Sequence, residues 1–168
     1  VRPKVSLWII YQDGKSMVPP EVVTLARQKL AGYGAQILVA AGATPFFTEF
    51  NRTRLPADST ALPCYPNTPQ VHLRDARTMI ENAADIVETI ESAKAITPQQ
   101  VVISPITLRA WHKVPAGPDD VVGGQLPGDV DPRQCSIFGA AWTVAHLSRL
   151  AEDLIHYSSL PYGFVVLP

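Results

Sequence analysis

Apolar positions along this chain fall into short runs separated by polar stretches rich in glycine and proline. Val5-Ser6-Leu7-Trp8-Ile9-Ile10-Tyr11 is branched and aromatic and stops at Asp13-Gly14, which predicts a buried strand. Similar reasoning predicts strands at Gln36 to Ala40, Ser59 to Tyr65, Gln100 to Ser104 and Leu154 to Tyr157. Between them the spacing changes to that of a helix. Pro19-Pro20-Glu21 suits a helix first turn, Val22, Val23, Ala26 and Leu30 share a face, and Gly32 and Gly34 end the segment. Asp75 caps a long helix whose apolar stripe is Met79, Ile80, Ala83, Val87 and Ile90. Gln134 to Ala151 forms the last helix, with Ile137, Ala141, Val144, Leu147 and Leu150 on its buried face.

Strands that alternate with helices predict a parallel α/β sheet, either a small doubly wound sheet or part of a (β/α)8 TIM-type barrel. Gly14 is followed by Lys15-Ser16-Met17, so the first strand lacks the glycine-rich phosphate loop of a dinucleotide-binding fold. Polar groups instead follow several successive strands, which is how a barrel assembles its site. The expected architecture is therefore about half a barrel, with 1–168 as a single α/β domain of a larger one.

Composition narrows the function. Hydrophobic residues make up 46% of the chain and charged residues 17%, ordinary for a packed core. The 14 basic and 15 acidic residues nearly cancel, so no net field selects nucleic acid or an anionic membrane. A small-molecule site is expected instead, in a soluble and cytoplasmic protein without a signal peptide or membrane span. Cys64 and Cys135 are too few and too far apart for a zinc or redox motif and are expected to be buried free thiols. The 16 prolines cluster from Leu55 to Pro69 and from Val114 to Pro132, and the stretch between Arg109 and Asp131 has the length of a site loop.

The chemistry converges on Phe46-Phe47-Thr48-Glu49-Phe50-Asn51-Arg52, read as a loop at a strand end. Aromatic neighbours would exclude water around Glu49 and suit it to acid, base or nucleophile work, against the plainer reading of a surface salt bridge. Asn51 and Arg52 could bind substrate hydroxyls. Gln70 and His72 follow the third strand, where the imidazole could shuttle a proton or bind a hydroxyl, or simply make a structural hydrogen bond. Ser104, Thr107 and Arg109 follow the fourth, and Arg109 could clamp an oxyanion. Asp131 reads first as a helix cap. His112, His146 and His156 lack ligand spacing, so neither a metal nor another cofactor is expected. No serine lies in Gly-x-Ser-x-Gly, which argues against a serine triad.

Four stretches carry a likeness: Phe47-Thr48-Glu49-Phe50-Asn51-Arg52, Asn67-Thr68-Pro69-Gln70-Val71-His72 with Asp75, Val102 to Arg109, and Asp131-Pro132-Arg133-Gln134-Cys135-Ser136-Ile137-Phe138-Gly139-Ala140-Ala141-Trp142-Thr143. In that order they resemble the C-terminal part of the D-apionolactonase family. The resemblance implies a glycoside-hydrolase-like barrel and the opening of D-apionolactone to D-apionate. That family continues into a strand end like Tyr-Tyr-Glu-Thr, whereas this chain reads His156-Tyr157-Ser158-Ser159-Leu160 without a carboxylate. Glycoside hydrolysis uses two carboxylates, so the departure favours lactone opening, which needs one base and oxyanion donors. The alternative is a glycoside-hydrolase-like or non-catalytic carbohydrate-binding half-barrel. A homo-oligomer that covers the sheet edges is a further expectation.

Overall fold

The computed structural model describes residues 5–34, 37–53, 55–56, 59, 61–110, 126 and 130–156, with side chains of the last helix as far as Ala151. Four parallel strands, β1 (Leu7–Ile10), β2 (Leu38–Gly42), β3 (Leu62–Asn67) and β4 (Val102–Ile106), pair in chain order. Leu7 lies opposite Leu38, Ala40 opposite Leu62 and Cys64 opposite Val102. This order decides between the two architectures. A doubly wound sheet reverses its strand order at a switch point, whereas sequential parallel strands wind one way, as in a barrel. The fold is a half-barrel of four strands and intervening helices.

Strand alternation sorts the side chains into two layers. Ala40, Cys64 and Val102 pack with Leu7, Ile9 and Leu62 on the inner face. On the outer face, Val39 and Ala41 meet Val23 of α1 (Pro20–Leu30). Tyr65 and Ile103 meet Ile86, Ile90 and Ala93 of α4 (Asp85–Ile96), together with Leu150 of α5 (Ile137–His156). The Tyr65 hydroxyl lies 3.0 Å from Thr89 Oγ1, whose own proton goes to the Ile86 carbonyl, so Tyr65 is the donor there.

The sequence expectations differ from this fold at several points. Residues Phe47–Arg52 form a short helix, α2, rather than a loop. Phe47 and Phe50 hold α2 in place, their ring centroids 4.9 and 5.2 Å from that of Tyr65. Burial of Phe50 alone contributes about 2–3 kcal/mol. The long helix after Asp75 is two helices, α3 (Ala76–Glu81) and α4. Tight turns from Ile80 to Asp85 interrupt it, and Asn82 reaches back to the Pro69 carbonyl at 3.2 Å. The break turns Met79 toward Leu108 and Trp142, while Ile80 is exposed. Asp75 does cap α3, accepting from Thr78 N and Oγ1, and these bonds hold its carboxyl below the usual range.

No fifth strand starts at Leu154, because α5 continues to His156. Neither glycine nor proline occurs between Gly139 and Pro161 to stop that helix. Its buried side is Trp142, His146 and Leu150; of the face expected inside, Ile137, Val144 and Leu147 point outward. Cys64 is buried, but Cys135 is exposed, since it sits on a short 3-10 turn at Pro132–Cys135. Most of the expected site loop after Arg109, with His112, lies outside the described residues, as does Tyr157. Among the described residues, no helix is long and apolar enough to cross a membrane.

Two close approaches tie sequence to fold. A Cβ on Gly42 would collide with the Cys64 carbonyl oxygen, so only glycine lets β2 end against β3. His146 is 2% exposed; its Nδ1 lies 3.1 Å from the Trp142 carbonyl and must donate to it. Nε2 then has no hydrogen-bond partner among the described residues, and burial pushes the imidazole pKa below its ordinary value. Replacing Gly42 with alanine is expected to cost about 3 kcal/mol or more by forcing backbone apart; a wild-type urea midpoint would refute this. Because the unfolded chain binds a proton at His146 more readily, stability should be complete above an unfolded pKa of about 6.5 and fall as pH drops below it. His146→Leu should flatten that part of the stability profile, measured as urea midpoints between pH 5 and 8.

Candidate functional site

Parallel pairing places every strand's C-terminal end at one edge of the sheet, and the chemically interesting side chains gather there. Tyr11, just past β1, continues the inward parity of Leu7 and Ile9. Its hydroxyl donates to the Ser104 carbonyl at 2.7 Å, and Cys64 Sγ approaches the same carbonyl at 3.7 Å. Burial pushes the Cys64 thiol up to about 12 and raises Tyr11 as well, with Cys64 adding to it. Both stay protonated near neutral pH, so neither is a ready nucleophile. Both side chains meet the Ser104 carbonyl on the inner face of the sheet. Reasoning from sequence misses Tyr11, although its parity with Leu7 and Ile9 is a usable signal.

Above β2, the first turn of α2 carries Glu49. The side chain is half-buried, and its Oε2 is buried without a hydrogen-bond partner among the described residues. Asn51 and Arg52, at the other end of α2, are exposed. The aromatic ring stack beneath α2 fixes the height of this helix, and thereby of Glu49, relative to the sheet.

The loops after β3 and β4 are laced together. Thr107 N donates to the Asn67 carbonyl at 3.1 Å, and Thr68 Oγ1 to the Leu108 carbonyl at 3.3 Å. Thr107 Oγ1 donates to the Arg109 carbonyl at 2.7 Å, closing the turn that presents the half-exposed Arg109. Ser104 is buried, and the bonds it shows are those accepted by its carbonyl. His72 is exposed, between exposed Val71 and Leu73.

Gln70, by contrast, is buried and its Nε2 donates to Asp131 Oδ2 at 2.5 Å. Asp131 caps the 3-10 turn through the Arg133 amide at 2.9 Å, and the Arg133 guanidinium grips both carboxylate oxygens at 2.9 and 2.8 Å. The Arg133 bonds, with Gln70 adding to them, hold the Asp131 carboxyl far below its usual range despite burial. In turn the Arg133 pKa is raised, chiefly by its bonds to Asp131. Arg133 also lies over the Phe138 ring, 5.4 Å from its centroid. The capping role of Asp131 is legible in sequence. Its bond to Gln70, 61 residues away, is not.

Among the described residues, no group of three or more His, Cys, Asp or Glu side chains could hold a metal ion. The described histidines are scattered: His72 is exposed after β3, His146 lies on the buried side of α5 and His156 ends that helix.

No curated protein and no solved structure showed a significant match to the chain. Residues 9–160, nearly the whole length, do match the family described as D-apionate lactonase, TIM barrel domain. Four parallel strands in chain order, with polar loops at their shared C-terminal edge, agree with that description. The chain belongs to the D-apionate lactonase TIM barrel domain family.

Proposed function

We propose that this protein is a hydrolase that opens a sugar lactone of the D-apionolactone type, with Glu49 as the base. The observation that carries the reading is the carboxylate oxygen of Glu49, buried in the first turn of α2 and unpartnered among the described residues. A buried acceptor without a donor is costly, and a substrate water is a donor of the right size. In the proposed reaction Glu49 takes a proton from water as the water oxygen bonds to the lactone carbonyl carbon. The carbonyl electron pair moves onto its oxygen, and Arg109 and His72 donate to that oxyanion. The intermediate then collapses, the ring C–O bond breaks, and the proton returns from Glu49 to the departing alkoxide. The product is a hydroxy acid. Asn51 and Arg52 bind the sugar hydroxyls, while Gln70, Ser104 and Thr107 line and hold the frame.

Membership in the lactonase family supports the reaction class. A second reading, a carbohydrate-binding half-barrel without turnover, draws on the four-stranded sheet, half of what a closed barrel has. Glu49→Gln keeps shape and removes the base, so kcat for lactone opening should fall about 100-fold or more with KM little changed. Unchanged activity would remove Glu49 from the mechanism. Binding of a pentose lactone by the wild-type chain without any opening would favour the second reading.

A further inference from the structure

The connection among Gln70, Asp131 and Arg133 is larger than a helix cap requires. Capping the 3-10 turn uses one bond, from the Arg133 amide to Asp131 Oδ1. Asp131 nevertheless accepts three more: from Arg133 Nε, from Arg133 Nη2 and from Gln70 Nε2. A carboxylate offers about four acceptor positions, so Asp131 is saturated and has no lone pair left for a substrate. Burying a charge demands such pairing, yet a serine or asparagine cap on the surface would have avoided the demand. The additional bonds therefore call for their own explanation.

They lead to one loop. Gln70, itself buried, immediately precedes an exposed segment, and the Arg74 carbonyl at the far end of that segment accepts from Arg133 Nη1 at 2.9 Å. Between these two anchors lie Val71, His72 and Leu73, all exposed. We infer that Asp131 and Arg133 are positioning residues: they hold both ends of the Gln70–Arg74 loop and so fix His72 at the C-terminal edge of the sheet. This inference rests on the lactone-opening reading for what His72 is positioned to meet. Asp131 and Arg133 touch no substrate themselves.

Two variants test it. Arg133→Lys keeps the charge beside Asp131 but loses the two-pronged grip and the reach to Arg74. Asp131→Asn keeps the shape and the cap, but can present an amide to the Gln70 amide. In either folded variant, amide hydrogen exchange at Val71, His72 and Leu73 should rise about 10-fold or more, while Tyr65 and Ile103 in the sheet stay protected. The His72 imidazole signals should broaden, and kcat for lactone opening should fall about 10-fold with a smaller change in KM, because the oxyanion that His72 meets forms only after attack. Unchanged exchange and imidazole signals in a folded variant would overturn the inference. So would a loosened loop with an unaltered kcat in an active enzyme. If the wild-type chain opens no lactone, the proposed function fails, whereas exchange and imidazole signals still decide whether the pair holds the loop.

Discussion

Because the four strands pair in chain order and all run the same way, each crossover must travel in one direction around the sheet and every strand must end at the same edge. Most of the molecule's architecture descends from that constraint. It requires the helices to cover one face, which Tyr65, Ile103, Val39 and Ala41 meet with apolar side chains. It also delivers Glu49, on α2, and His72 and Arg109, on loops, to the segments that follow the consecutive strands β2, β3 and β4. Where the end of β2 lies against the middle of β3, at Gly42 beside Cys64, the chain uses the residue without a side chain.

The strands are legible in sequence because short branched runs between turn residues leave few alternatives. Helix ends are less so. Leu154-Ile155 alone reads as the start of a short strand, whereas Ala151-Glu152 before it and the absence of glycine and proline favour a continuing helix. The orientation of α5 is harder still. That helix carries two apolar stripes, one through Ile137, Val144 and Leu147 and another through Trp142 and Leu150. Which of them faces Met79 and Leu108 is a matter of tertiary fit, and periodicity counts both equally. At the break, Asn82 bonds the Pro69 carbonyl, a partner 13 residues away that a single helical turn does not contain.

The site is readable as a set of residue types and unreadable as a set of bonds. Glu49, His72 and Arg109 stand out because each lies in the segment that follows an apolar strand, where a parallel sheet places its loops. Gln70 belongs to the same motif, but its bond to Asp131 spans a distance in sequence that only the fold closes. Tyr11 shows the converse. It looks like the tail of a strand, yet its hydroxyl crosses the inner face from β1 to the Ser104 carbonyl of β4. The C-terminal edge thus combines exposed or half-exposed side chains, His72 and Arg109, with buried, hydrogen-bonded ones, Gln70 and Asp131.

The two thiols of this chain live in opposite chemical worlds. Cys64 is sealed in the inner face with its proton held tightly, while Cys135 stands exposed on the turn that begins with Asp131 and Arg133. An alkylating dye therefore meets a single target in the folded protein. That target sits two residues from the guanidinium that grips the His72 loop. Without any engineering, the molecule offers an attachment point for an optical reporter beside its candidate site.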